Sequence, residues 1–207
     1  MLPRYAGIAA IAGFLLFSGC SDVPKAVESK VEVKKGPEIP AGPILALTAY
    51  YKMYEVARKW SPDIQPLGLS AIDAESLPGE DGKFPAWKAM FGSATKRQAV
   101  TYTYSTVEHA GVLKGVRSGS TVPWAGGGAE AQPYSNSDIK IDSDAAYKVA
   151  LERADAWLKK NSDKPITEFA LGDSSRFPAP VWYVIWGSPK NGFAAYVNAT
   201  NGKVFGK

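Results

Sequence analysis

The chain has 207 residues and a formal charge of +4, and 45% of its residues are hydrophobic. This balance is typical of a folded protein with one domain of ordinary size or two small ones, and so mild a charge does not indicate a nucleic-acid-binding surface. The single cysteine and single histidine exclude an intrachain disulfide framework, a cysteine-rich zinc site and a CxxC redox pair.

Residues 1–19 have the pattern of a secretory signal. An uncharged apolar run over residues 6–17 follows Arg4, and it is too short to cross a membrane, which takes roughly 20 residues. The run ends in Ser18-Gly19-Cys20, which resembles the lipobox of bacterial lipoproteins, although Phe17 stands where that pattern usually has leucine. The resemblance implies cleavage before Cys20 and its acylation, with palmitate among the chains, so that Cys20 anchors the protein in membrane lipid. An incidental cysteine in an uncleaved anchor is the alternative.

The next segment, residues 20–43, is predicted to be a disordered tether. Its lysines and acidic residues balance, and Pro24, Pro37 and Pro40 interrupt it. A short strand over residues 30–33 is the alternative. Because Ser21 rather than aspartate follows the cysteine, the pattern resembles outer-membrane sorting in Gram-negative bacteria, and it favours a cell-envelope location facing the periplasm.

The remainder contains two stretches of similar pattern, residues 44–117 and 139–207. Trp182-Tyr183 and Gly187-Ser188 follow Trp87-Lys88 and Gly92-Ser93 at a constant spacing. Each stretch predicts one amphipathic helix and then four strands, the last two joined by Ala110-Gly111 or Asn201-Gly202 turns. We therefore predict an α+β fold of two tandem units, each with one helix packed on a small antiparallel sheet, separated by a linker over residues 118–138. Convergence of two similar helix–strand patterns is the alternative to a true internal repeat.

The second stretch carries a further resemblance. An alanine-rich helix, a tryptophan-bearing strand and a final hairpin reading YVNATNGKV over residues 196–204 are similar to the PepSY domain. The first stretch is a weaker match, because its hairpin is longer and lacks the Asn-Gly turn. The resemblance implies a helix-on-sheet fold without catalytic residues, in a family of propeptide inhibitors and cell-envelope regulators of peptidases.

Few side chains stand out as candidates for chemistry. His109 beside Glu108 is either a general base or metal ligand or an exposed turn residue, and the lack of a second histidine favours the turn. The acidic loop over residues 73–83 matches no EF-hand, so a solvated loop is favoured over a calcium site. No catalytic residue, metal or cofactor is predicted. A carboxylate-based hydrolase would require two close, buried acids.

Two linker aromatics, Trp124 and Tyr134, either fill the gap between the two units or form a partner contact. Together these patterns predict a lipid-anchored envelope protein that is not an enzyme and that binds a protein or peptide, with restraint of an envelope peptidase as one role. A structural or assembly lipoprotein of an envelope complex is the alternative. Nucleic acid is not an expected partner.

Overall fold

The computed structural model describes residues 39–128 and 131–206, so the predicted signal, Cys20 and most of the tether lie outside the described residues. The elements, in chain order, are α1 (Ala46–Trp60), β1 (Ile64–Ala71), β2 (Ala86–Ser93), β3 (Gln98–Ser105), β4 (Gly115–Pro123), a short 3-10 helix (Asn136–Asp138), α2 (Ser143–Leu158), β5 (Ile166–Gly172), β6 (Val181–Trp186), β7 (Phe193–Asn198) and β8 (Val204–Phe205). Neither α1 nor α2 is long and apolar enough to span a membrane.

All eight strands belong to one antiparallel sheet in the order β4-β3-β2-β1-β5-β6-β7-β8. Strands β1 and β5 meet at its centre through three residue pairs, Gly68–Gly172, Leu69–Leu171 and Ser70–Ala170. The prediction of two tandem units, each with its own small sheet, is therefore wrong. Separate four-stranded sheets would leave β1 and β5 as unpaired edges, and their pairing satisfies both sets of backbone groups in one continuous sheet.

Both helices pack on one face of this sheet. Side chains of α1 (Ala49, Tyr50, Met53 and Ala57) and alanines of α2 (Ala146, Ala150 and Ala154) are buried in a single core. Beneath them lie Trp87, Phe169 and Trp182, with ring centroids 6.1 Å apart for Trp87–Phe169 and 5.6 Å apart for Phe169–Trp182. Since Phe169 contacts a tryptophan on each side of the β1–β5 junction, the core is shared by both halves of the sheet.

Trp87 and Trp182 also make equivalent hydrogen bonds to the backbone. The indole N–H of Trp87 donates to the carbonyl of Ile44 over 3.1 Å, and that of Trp182 donates to the carbonyl of Ile141 over 3.2 Å. Each accepting residue lies just before a helix. The bonds therefore fix the start of α1 to β2 and the start of α2 to β6.

Strand β4 departs from the sequence-based boundaries, because it continues to Pro123 and so includes the first six residues of the predicted linker over residues 118–138. Its residues are almost all exposed, and it pairs with β3 alone. Only the start of this edge strand packs against the core, through Val116, so its remainder needs no alternating apolar pattern, and a glycine- and serine-rich segment forms it.

Candidate binding site

The sheet face opposite the helices carries a continuous row of side chains from edge to edge. Antiparallel partners point to the same side of a sheet, so the strand registers define this row directly. In strand order it contains Arg117, Thr103, Lys88, Ser70, Ala170, Tyr183, Tyr196 and Phe205. The row is cationic on the side of β4 to β2, small at its centre and aromatic on the side of β6 to β8.

The small residues at the centre form the floor of a trough. Gly68 and Ser70 of β1 lie beside Gly172 and Ala170 of β5, so neither strand projects a large side chain at this point. The floor is two strands wide, or ~10 Å at the usual spacing of neighbouring strands. The cavity above it has a volume of about 780 Å³. We call this cavity the trough.

One wall of the trough comes from β2. Lys88 and Met90 are exposed there, and 40% of the Met90 surface is accessible to solvent. Within the described part of the chain, no carboxylate forms an ion pair with Lys88. This wall therefore presents an apolar thioether and an unpaired ammonium group side by side.

The opposite wall comes from β6 and the loop after β5. Arg176 places its guanidinium 4.8 Å from the ring centroid of Tyr196 and 5.1 Å from that of Phe177. Phe177 in turn lies 5.0 Å from Phe205, and Tyr183 packs edge-on against Tyr196. Arg176 is thus held on an aromatic surface by cation–π contacts, and it has no ion pair among the described residues.

Two acids line the trough away from the central row. Glu168 precedes the floor residue Ala170 along β5, and Asp173 follows Gly172. Burial raises the pKa of Asp173, although its carboxylate accepts a hydrogen bond from the backbone N–H of Ser174. Glu168 alternates with Ala170 and therefore shares the open face, whereas Asp173 directly follows Gly172 and its charge acts on the buried Tyr134 of the helix side.

Trp124 lies at the margin of this same face. A Cβ atom added to Gly92 would come within 2.8 Å of the Trp124 indole, and Gly92 is on the open side of β2 because it alternates with the exposed Lys88 and Met90. The ring therefore covers the backbone at Gly92 and is itself half-buried. A partner contact through Trp124 stays a prediction.

Tyr134 lies on the helix side instead. Only 6% of its surface is exposed, and its hydroxyl finds no hydrogen-bond partner among the described residues. Burial raises the pKa of this phenol. The structure thus separates the two linker aromatics, with Tyr134 in the core and Trp124 on the open face.

The other sequence candidates lie apart from the trough. The Nε2 atom of His109 lies 3.8 Å from an Asp73 carboxylate oxygen, and both side chains are about one-third to one-half exposed. No group of three histidine, cysteine or acidic side chains that could hold a metal occurs in the described residues. In the acidic loop, Gly82 packs against the start of α2, where a Cβ would come within 2.4 Å of the Ser143 carbonyl. This loop makes a close packing contact with α2.

The free edge of β4 is a competing location for a partner strand. It is exposed from Arg117 to Pro123, but it ends in a proline, carries a charged side chain and is irregular opposite Val100 and Tyr102. These features are typical of edges that resist strand addition. The trough is therefore the better candidate for binding. Sequence reasoning missed Lys88, Arg176 and Tyr183, because the β1–β5 pairing that brings them together has no local sequence signal.

Comparisons with known proteins give little further information. No protein-family model matches the chain, and no curated protein matches it either. The PepSY resemblance therefore stays a prediction. Among solved structures, a "putative lipoprotein" from Clostridium difficile 630 is similar, with 14% sequence identity, a TM-score of 0.48 and coverage of 76% of this chain and 90% of that chain. Lipoprotein is also the class that Ser18-Gly19-Cys20 predicts, but at a TM-score below 0.5 the likeness supports neither a shared fold nor a shared anchor.

Proposed function

We propose that this protein is an extracytoplasmic lipoprotein, anchored through Cys20, whose trough binds a segment of a partner protein without chemical conversion. The location follows from the signal and the lipobox-like Ser18-Gly19-Cys20, and Ser21 favours the outer membrane facing the periplasm. The observation that carries the binding role is the trough itself. Its floor of small side chains lies between an unpaired lysine with a methionine and an arginine stacked on aromatic rings.

The composition of the walls supports binding. Methionine, tyrosine and arginine are enriched in protein interfaces, where they bury a large apolar area while keeping a polar tip for recognition. A segment lying on the floor would contact both halves of the sheet, which meet in three residue pairs between β1 and β5. Restraint of an envelope peptidase and assembly of an envelope complex are both compatible with such binding, and the identity of the partner distinguishes them.

Site-specific crosslinking in intact cells tests this proposal. A photoreactive phenylalanine derivative replaces Tyr183 in the trough, and the same derivative at Tyr51, which is 48% exposed on α1, is the matched control. We expect crosslinked partners from position 183 that position 51 does not give. Equal products at both positions would contradict binding in the trough. Loss of membrane association in a Cys20→Ala chain is expected, and its retention would contradict the anchor.

A further inference from the structure

The trough contains two unpaired cations on opposite sides of its floor. Lys88 projects from β2 on one side, and Arg176 rests on the rings beside β6 and β7 on the other. The described residues contain three ion pairs, and neither Lys88 nor Arg176 takes part in any of them. Since Ser70 and Ala170 occupy the row between these sides, no protein carboxylate lies between the two cations in that row.

Arg176 is held in place before any ligand arrives. Stacking on Phe177 and Tyr196 restricts the side chain, so less conformational entropy is lost when its N–H groups bind a ligand. A guanidinium in this state is suited to a carboxylate, because its planar donors match the two oxygens. Lys88, exposed and unpaired, adds a second positive charge without a fixed geometry.

The remaining charges restrict where a ligand carboxylate can lie. Glu168 lines the trough at one end of the floor residues of β5, so a second acid at that end of a bound segment would be repelled. Met90 and Tyr183 offer apolar contacts on either side of the central row. The pattern is therefore complementary to one central negative charge with apolar neighbours.

Resting on the function proposed above, we infer that the trough recognises a partner segment in which a single aspartate or glutamate is flanked by apolar residues, its carboxylate bound by Arg176, with Lys88 across the floor adding positive charge.

Selection from random nine-residue peptides displayed on phage tests this inference. The full chain, purified from membranes in detergent, is immobilised through a C-terminal tag, and selection is repeated on Lys88→Met and Arg176→Gln. Lys148→Met and Arg153→Gln on the exposed side of α2 are matched controls. Ala170→Phe, with Ser70→Leu as a second variant should the first fail to fold, fills the floor.

We expect the wild-type chain to enrich peptides with one central acidic residue. Their affinity should fall about tenfold in Arg176→Gln, as loss of one charge-assisted contact predicts, should fall by less in Lys88→Met, and should stay unchanged in the α2 controls. Peptides enriched by the open trough but lacking acidic residues would overturn this inference and leave the proposed function intact. No enrichment over the filled-floor variants would overturn both.

Discussion

The backbone N–H of Leu47, in the first turn of α1, donates a 3.1 Å hydrogen bond to the carboxylate of Asp142, the residue that caps α2. The same oxygen accepts the N–H of Ser143 over 2.7 Å. The preceding residue of α1, Ala46, donates to the Ser143 hydroxyl. Helix α1 has no side-chain cap of its own, so the N-terminus of α2 supplies the acceptors that α1 lacks.

This shared cap predicts that Asp142→Ala destabilises the fold by about 2 kcal/mol, since it removes one acceptor from each of two helix N-termini at about 1 kcal/mol per cap. Urea denaturation of the detergent-solubilised chain, followed by tryptophan fluorescence near pH 7.5, measures the change. Asp144→Ala is the matched control, because among the described residues the Asp144 carboxylate accepts a hydrogen bond only from the N–H of Ala145. Equal losses for the two variants would show that the contact with Leu47 contributes nothing.

Replacing the two core tryptophans, Trp87 and Trp182, should lower the free energy of unfolding by different amounts. The Ile44 carbonyl accepts the Trp87 indole and also the backbone N–H of Phe84, whereas among the described residues the Ile141 carbonyl accepts only the Trp182 indole. Trp182→Phe should therefore lower the free energy of unfolding by about 1 kcal/mol more than Trp87→Phe, because it leaves a carbonyl without its donor. The same urea titration measures both variants. Trp60→Phe, at a half-buried position on α1, is the reference, and a larger loss for Trp87→Phe would contradict the argument.

Local patterns predicted the elements well, and the arrangement of the elements poorly. The Ser61-Pro62 stop correctly predicts that the first helix ends at Trp60, whereas a helix start at Pro43, which the Gly42-Pro43 pair predicts, lies three residues before the observed start at Ala46. The Ala110-Gly111 turn is present, with positive φ at both residues. Whether two four-stranded segments form two sheets or one depends on the pairing of β1 with β5, which is separated by about 100 residues in sequence and encoded by small residues such as Gly68 and Gly172. Glycine and alanine carry no periodic signal, so neither the single sheet nor the trough was predictable.

Asp63 predicts a pH dependence of stability. Its carboxylate accepts hydrogen bonds from the Ser61 hydroxyl at 2.6 Å, the Thr95 N–H at 2.9 Å and the Ser93 hydroxyl at 2.7 Å. These bonds hold the pKa of Asp63 well below its usual range. The unfolded chain, with an Asp pKa of about 3.9, therefore binds the proton more readily than the folded chain. The contribution of Asp63 is complete above the unfolded pKa and is lost as the pH falls towards the folded one.

Denaturation curves recorded between about pH 7 and pH 3 test whether stability falls with pH in this direction. The wild-type chain should lose more stability over the acid part of that range than Asp63→Asn, whose side chain does not titrate. Parallel curves would mean that the three hydrogen bonds do not distinguish the charged from the neutral carboxyl group.

Comparing Tyr134 with Tyr50 measures how much a buried tyrosine hydroxyl contributes to stability with and without a hydrogen-bond partner. Tyr50 donates to the Asn136 side chain, whereas the hydroxyl of Tyr134 is buried without a partner among the described residues. Tyr50→Phe should cost about 1 kcal/mol, while Tyr134→Phe should be neutral or stabilising, because it removes a polar group that gains no hydrogen bond from the protein. Thermal unfolding of the two variants measures the difference. A loss on Tyr134→Phe as large as that on Tyr50→Phe would show that this hydroxyl is hydrogen-bonded in solution.

Gly92 and Trp124 lie against each other at the margin of the open face. Because a Cβ at Gly92 would come within 2.8 Å of the indole, Gly92→Val should displace Trp124 from the sheet and expose it. A Cβ at Gly68 on the same face would come no closer than 3.7 Å to any atom, so Gly68→Ala is the control that changes a glycine without a clash. Acrylamide quenching of fluorescence should increase in Gly92→Val and stay constant in Gly68→Ala.

Since the chain has six tryptophans, the same pair of variants in a Trp124→Phe background assigns the signal. If the increase persists without Trp124, the ring does not rest on Gly92, and the margin of the open face is arranged differently. If the increase disappears, Trp124 is a movable side chain beside the trough. Crosslinking from position 183 in the Gly92→Val chain then shows whether its position affects binding there.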